Sequence, residues 1–143
     1  MRTFWSHLAE DYGPAARSRR KQVPLRLFVI VTLCAAALIF KTMPFLFSWS
    51  VAYLVVQLCE LYALKRFLNS DDPARQVKFN LASDLALATV FGWLALPLWE
   101  MGTPAGAAGA ILLLSASIFT ALMGAEGCAV AFISAAGPHV AYL

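Results

Sequence analysis

The chain has 143 residues, of which 61% are hydrophobic and 13% are charged, and its formal net charge is +3. With a mean hydropathy of +0.72, this composition lies outside the range of soluble domains and predicts a membrane protein. The length allows several membrane crossings in one compact bundle and leaves no room for a second domain.

The N-terminal residues 1–22 predict a basic cytoplasmic tail, and residues 23–143 predict a transmembrane helical bundle. Phe4, Trp5, Leu8 and Tyr12 in the tail would line one side of a short helix lying on the membrane surface, where it could bind anionic lipid. A flexible basic tail with only a topological role is the alternative.

The first span is predicted over about residues 23–42, around the uncharged run LFVIVTLCAAALIF. This run is short for a crossing, but Arg26 and Lys41 at the two ends of the span can reach the interfaces and extend it. The long polar segment before the run favours a retained membrane helix over a cleaved signal peptide.

Further spans are indicated by apolar runs that alternate with turn-forming segments, and Pro44 suits the first turn of the second helix. The segment KRFLNSDDPARQVK, residues 65–78, predicts a loop in water. We expect spans over about residues 44–64, 79–99, 104–125 and 128–143. The last is interpreted as a partial fifth span cut off from a longer parent chain, and the alternative is a broken helix or a dip at the outer surface near Pro138 and His139. The predicted fold class is an all-α polytopic membrane helical bundle.

The distribution of Lys and Arg predicts the orientation of the spans. Six of these residues precede the first apolar run and four lie in the 65–78 loop, whereas the 41–44 turn has one and the 100–104 turn has none. We therefore expect the N-terminus and the 65–78 loop to be cytoplasmic.

Two carboxylates interrupt the apolar spans near the cytoplasmic end, Glu60 on the second span and Asp84 on the third. A charge within a membrane is a functional hypothesis by default, although Lys65, Arg66 or Lys78 lies close enough to pair with each carboxylate. One interpretation is a structural polar clasp that holds the helical hairpin, and the other is a proton or cation site. The predicted polar cluster at the inner interface is Gln57, Glu60, Asn80 and Asp84.

Small residues mark the start of the fourth span, where Gly102, Gly106 and Gly109 are the candidate helix-packing positions. Small residues four apart allow helix backbones to approach closely in membranes. The interpretations are packing within this bundle or a dedicated dimerisation surface.

No enzyme motif is present: there is no Walker-type loop, no G-x-S-x-G and no HExxH in the sequence. Cys34, Cys59 and Cys128 are widely spaced and form neither a disulfide framework nor a metal-ligand pattern. His7 and His139 are isolated. We therefore expect no catalytic residue, no cofactor and no metal, and the short basic run gives no reason to expect a nucleic-acid partner.

The order of features resembles the N-terminal membrane region of bacterial sensor histidine kinases of the alphaproteobacterial type. The residues that carry the resemblance are the basic start RSRRKQVPLRL, the Gln57 to Glu60 pair near the inner end of a hairpin, and the turn AAGPHVAYL. The resemblance implies a place in the bacterial inner membrane and, in a longer parent, cytoplasmic signalling domains. No phosphoacceptor histidine segment or ATP-binding box is present here, so no catalytic residue is carried over.

The leading hypothesis is a membrane-anchoring or signal-input module. Its expected partners are the lipid bilayer, a second copy of the chain in a homodimer, and the signalling domains of a longer parent. The alternatives are a small proton-coupled dimeric transporter that uses Glu60 or Asp84, and a structural membrane assembly subunit.

Overall fold

The structure is a computed structural model that describes residues 4–40 and 44–143. Within these ranges the chain forms helices and no strand, which confirms the predicted all-α fold class. The helices are α1 (Phe4–Phe40), α2 (Pro44–Leu68), α3 (Pro73–Gly92), α4 (Ala95–Glu100), α5 (Pro104–Gly124) and α6 (Ala129–Tyr142).

The helical segments Pro44–Leu68, Pro73–Glu100 and Pro104–Gly124 are long and apolar enough to cross a membrane. Helix α6 is apolar but shorter. These lengths support a membrane-embedded helical bundle. The last two residues of the predicted first span, 41 and 42, lie outside the described residues.

Helix α1 continues through the boundary predicted at residue 22, so residues 4–22 form neither a flexible tail nor a separate surface helix. Leu8, Tyr12 and Val23 are buried on one face of α1 within a shared apolar core. The Tyr12 ring packs edge-on against Phe67 of α2, with 5.3 Å between ring centroids. Phe4 lies outside this face and is 67% exposed. Of the four predicted apolar positions, Leu8 and Tyr12 are therefore buried against the protein itself, whereas Phe4 and Trp5 are exposed.

Local capping begins α3 at Pro73, earlier than the predicted start at residue 79. Asp72 precedes this proline and its side chain accepts a hydrogen bond from the Arg75 backbone N–H. A proline in the first turn lacks only an N–H group that would have no partner within the helix. The predicted 65–78 loop is therefore helical at both ends, and its connection is short.

The predicted third span is divided into α3 and α4 at Trp93 and Leu94. Pro97 gives a physical reason, because it has no N–H group to donate to the Trp93 carbonyl and its ring would crowd that group. Leu96 instead donates to the Trp93 carbonyl at 3.2 Å, which makes a tighter turn.

Helices α1, α2 and α3 pack against one another, while α6 contacts both α3 and α5. Helix α4 packs against α5. The close packing of α6 against α3 depends on Gly92 at the end of α3, because a Cβ atom on this residue would overlap the Tyr142 ring of α6. This contact between α3 and α6 was not anticipated from the sequence.

The three candidate packing glycines have different roles. Gly102 lies in the turn before α5 with a φ of +61°, and an added Cβ atom would meet nothing within 4 Å, so its prediction as a packing residue is wrong. A Cβ atom on Gly106 would overlap the Leu98 carbonyl oxygen of α4. A Cβ atom on Gly109 would make an ordinary van der Waals contact with the Leu98 side chain, at 3.7 Å. Gly106 and Gly109 thus pack within one chain.

We expect Gly106→Ala to destabilise the protein by about 1–3 kcal/mol, because the Leu98 backbone can move away only if α4 shifts. Gly109→Ala is the matched control and should be neutral or stabilising, since alanine favours the helix by about 1 kcal/mol and has room at that site. The measurement is unfolding of purified protein in mixed micelles, followed by circular dichroism. Equal stability of the two variants would contradict this account of α4 packing.

Candidate functional site: two buried ion pairs and an adjoining cavity

A buried ion pair at Asp84 joins three helices. Asp84 of α3 is 2% exposed, and Arg19 of α1 forms an ion pair with it through Nη1. The other terminal nitrogen of Arg19, Nη2, donates to the Ala131 carbonyl oxygen of α6 at 3.0 Å. A single guanidinium therefore links α1, α3 and α6.

Tyr12 completes the shell of the Asp84 carboxylate, because its hydroxyl donates to Oδ2 at 2.7 Å. Burial, with a further contribution from the neighbouring Asp84 carboxylate, raises the pKa of Tyr12 above its ordinary range. The hydroxyl thus remains protonated and keeps its role as a donor. With Arg19 and Tyr12 on its two oxygens, the buried charge is both paired and hydrogen-bonded, as burial requires.

A second, looser ion pair forms at Glu60 of α2, which is fully buried. Arg26 of α1 approaches the two Glu60 carboxylate oxygens at 3.4 and 3.5 Å, and its Nη2 donates to Gln22 at 2.9 Å. Gln57, one turn before Glu60, donates to the carboxylate through Nε2. The Arg26 side chain is 24% exposed, whereas that of Arg19 is 5% exposed. The two ion pairs therefore differ in the solvent exposure of the arginine and in how closely it approaches the carboxylate.

Asn80 adds a neutral link between α2 and α3. Its side-chain Nδ2 donates to the Ala63 carbonyl oxygen of α2 at 3.3 Å and to the Gln76 carbonyl oxygen of its own helix at 3.0 Å. Asn80 is 1% exposed, so these hydrogen bonds lie in the helix interface.

The structure places all four predicted polar residues in the bundle interior, and it brings Gln57 directly onto Glu60. The charge partners expected for the carboxylates were wrong. The described residues contain no ion pair from Lys65, Arg66 or Lys78 to either carboxylate, and Lys78 instead lies 4.3 Å from the centre of the Trp5 ring. Local charge counting missed the arginines of α1 because Arg19 was assigned to a tail and Arg26 to the interface at the end of the first span.

The spacing of the α1 residues could have revealed them. Tyr12, Arg19 and Arg26 lie seven positions apart, which places them on one face over four helical turns. The same face carries the buried Leu8 and Val23. A basic residue at heptad spacing within an apolar stripe predicts a buried counter-ion.

A cavity of about 330 Å³ adjoins the ion pairs and is lined by residues of α1, α2, α3, α5 and α6. Its charged end is formed by Arg19, Arg26 and Asp84. The Ser117 and Thr120 hydroxyls on α5 each donate to a carbonyl of their own helix. The remaining lining is mostly apolar and consists of Tyr53, Leu87, Ala88, Phe91, Leu113, Ala116, Ala121, Gly124 and Ala135, with His139 as a further polar group.

His139 lines the cavity from α6 and is 5% exposed. Its ring stands edge-on to Phe91, with 5.9 Å between centroids, and Nδ1 has no hydrogen-bond partner among the described residues. The sequence predicted an isolated histidine, and only the packing of α6 against α3 brings it to the cavity.

The site contains no metal-binding constellation within the part of the chain that the structure describes, where no three His, Cys, Asp or Glu side chains come together. Cys59 and Cys128 are free thiols. The side chain of the third cysteine, Cys34, lies outside the described part of the structure. What the arrangement offers chemically is a partly exposed guanidinium, Arg26, beside a mostly apolar cavity.

No known protein family, curated protein or solved structure matches this chain. The resemblance to sensor histidine kinases therefore remains a prediction.

We expect Asp84→Asn to cost about 3–5 kcal/mol, because Arg19 would remain buried without its counter-ion. Glu60→Gln should cost about 1 kcal/mol or less, since Arg26 is partly exposed and can be hydrated. The measurement is the free energy of unfolding in mixed micelles.

The double variant Arg19→Met, Asp84→Leu serves as the control, because replacing both buried charges with apolar side chains removes the unpaired ion. It should be more stable than Asp84→Asn alone. Similar losses for Asp84→Asn and Glu60→Gln would contradict the difference in tightness between the two pairs.

Proposed function

We propose that this chain is a membrane-anchoring and signal-input module of the bacterial inner membrane, with a cytoplasmic N-terminus, and that it is the N-terminal part of a sensor histidine kinase-like protein. The single observation that carries the proposal is the unequal pair of ion contacts along one face of α1, tight at Arg19 and loose at Arg26. The resemblance in sequence supports the kinase parent.

The input mechanism would be a change in how α1 packs against α2. Arg19 holds α1 to α3 and α6 through a buried contact, whereas Arg26 makes longer contacts to Glu60 and is partly exposed. A stimulus that changes the Arg26 contact would alter the α1 to α2 interface while Arg19 keeps its position. An element with two arrangements, biased by a stimulus, is what a physical account of signalling requires.

The distribution of charge supports the proposed orientation. Lys65 and Arg66 are exposed at the end of α2, and the connection to α3 carries further polar residues. The turn from α4 to α5, around Gly102, has no basic residue. Basic cytoplasmic connections are the usual arrangement in membrane proteins.

The test is the distance between spin labels at positions 20 and 62, which are exposed on α1 and α2. We expect Arg26→Gln to shift or broaden the distance distribution in nanodiscs, because α1 loses its only ion pair to Glu60 among the described residues. Lys65→Gln is the control and should leave the distribution unchanged, since Lys65 is exposed and forms no ion pair with Glu60. An unchanged distribution in Arg26→Gln would count against a movable α1.

A proton-coupled transporter is the second candidate, and the position of Asp84 in the cavity lining favours it. Under the signal-input proposal, purified protein in liposomes should show no proton flux when a pH gradient is applied. A flux that disappears in Asp84→Asn or Glu60→Gln, measured with a pH-sensitive dye in the liposome lumen, would overturn the proposal in favour of transport. A folded variant with an unrelated exposed change, such as Arg20→Gln, would control for reconstitution.

A further inference from the structure

The side chains that line the cavity include more cations than carboxylates. Its lining includes two guanidinium groups, Arg19 and Arg26, but only one carboxylate, Asp84. Asp84 is paired with Arg19, and Glu60 is not a lining residue. The cation that faces the cavity without a lining counter-ion is therefore Arg26.

Arg26 is also the cation that can take a new partner. Its contacts to Glu60 are at 3.4 and 3.5 Å, beyond the distances of a strong charge-assisted hydrogen bond. A guanidinium has five N–H donors and binds planar or tetrahedral oxyanions with two of them at once. Both terminal nitrogens of Arg26 also have partners, Glu60 and Gln22, so it differs from Arg19 in exposure: the Arg26 side chain is 24% exposed and the Arg19 side chain is 5% exposed.

The rest of the cavity suits a hydrocarbon chain. Away from the arginines, Leu87 and Phe91 of α3 face Leu113 of α5 across it. A volume of about 330 Å³ accommodates roughly ten groups of the size of a water molecule, at about 30 Å³ each. That is the scale of one short chain and a small head group, and too small for a two-chain lipid.

Part of the cavity lining on α5 is exposed at the outer surface of the bundle. Ala116 and Thr120 line the cavity and are themselves exposed on α5. The neighbouring outer surface of α5 is apolar, with Leu112 70% exposed and Phe119 64% exposed. A molecule already dissolved in the bilayer would reach the cavity laterally, past these residues.

We propose that the cavity binds a single-chain amphiphile with an anionic head, a carboxylate or a phosphate monoester. The head binds Arg26, and the chain lies between α3 and α5. The bound anion competes with Glu60 for Arg26 and so loosens the contact between α1 and α2. This effect on helix packing rests on the proposed signal-input function. The binding site itself depends only on the cavity and its charge.

The binding test uses the full chain in phosphatidylcholine nanodiscs with four ligands of one chain length: decanoate, decyl phosphate, decanol and decyltrimethylammonium. Binding is followed by saturation-transfer NMR on the ligand and by the thermal unfolding midpoint, which a bound ligand raises. We expect at least one of the two anions to bind and the neutral and cationic analogues to bind at least tenfold more weakly. The stronger of the anions assigns the head group.

Two variants separate the head from the chain. Arg26→Gln should weaken binding of the anion at least tenfold, whereas Arg20→Gln, an exposed arginine on the same helix, should not. Ala116→Phe should abolish binding by filling the cavity mouth while it retains Arg26. Leu112→Phe is its control, because Leu112 lies on the outer side of α5 and outside the lining.

Equal binding of decanol and decanoate, or unchanged anion affinity in Arg26→Gln, would overturn the site. If Arg26→Gln does not fold, judged by circular dichroism, the Ala116→Phe and Leu112→Phe comparison and the four-ligand series still decide the matter. The label distance between positions 20 and 62 is then measured with and without the bound anion. Binding without a change in that distance would leave the ligand site standing and refute the signal-input function.

Discussion

The burial of the Arg19 and Asp84 charges is the constraint on which the rest of the structure depends. Two ions removed from water carry a desolvation cost of several kcal/mol each, and only close geometry with additional hydrogen bonds offsets it. The structure meets that requirement by bringing Tyr12 to the carboxylate and the Ala131 carbonyl to the guanidinium. Satisfying these charges brings α1, α3 and α6 together, so the N-terminal segment belongs to the bundle.

The position of α6 gives the bundle its cavity. Helix α6 packs against both α3 and α5, and residues of these three helices line the cavity, together with Arg19 and Arg26 of α1. The close approach is possible at Gly92, where a side chain would collide with Tyr142. The same packing brings His139 to the cavity wall. A short terminal helix thus determines the shape of the site.

The two ion pairs differ in burial and in distance, so they have different roles along α1. A buried pair is poorly suited to change partner, because breaking it leaves an uncompensated charge in a low-dielectric interior. The Arg26 pair is less constrained on the arginine side, since that side chain is 24% exposed and its contacts are long, while Glu60 stays buried with its hydrogen bond from Gln57. We infer a fixed point at Arg19 and an adjustable point two turns further along, in a helix that joins the N-terminal segment to the apolar core.

The sequence by itself determined the all-α fold class, the membrane-like composition and, to within a residue, the starts of α2, α5 and α6, and it singled out Gln57, Glu60, Asn80 and Asp84 as polar positions within the spans. These follow from apolar runs, prolines and caps, which act within a few residues. It did not determine the partners of the carboxylates, because an ion pair between Arg19 and Asp84 spans 65 positions of the chain and depends on how α1 packs. Nor did it show the cavity, whose lining comes from five different helices. Tertiary packing decided these features, since only the folded bundle brings distant helices into contact.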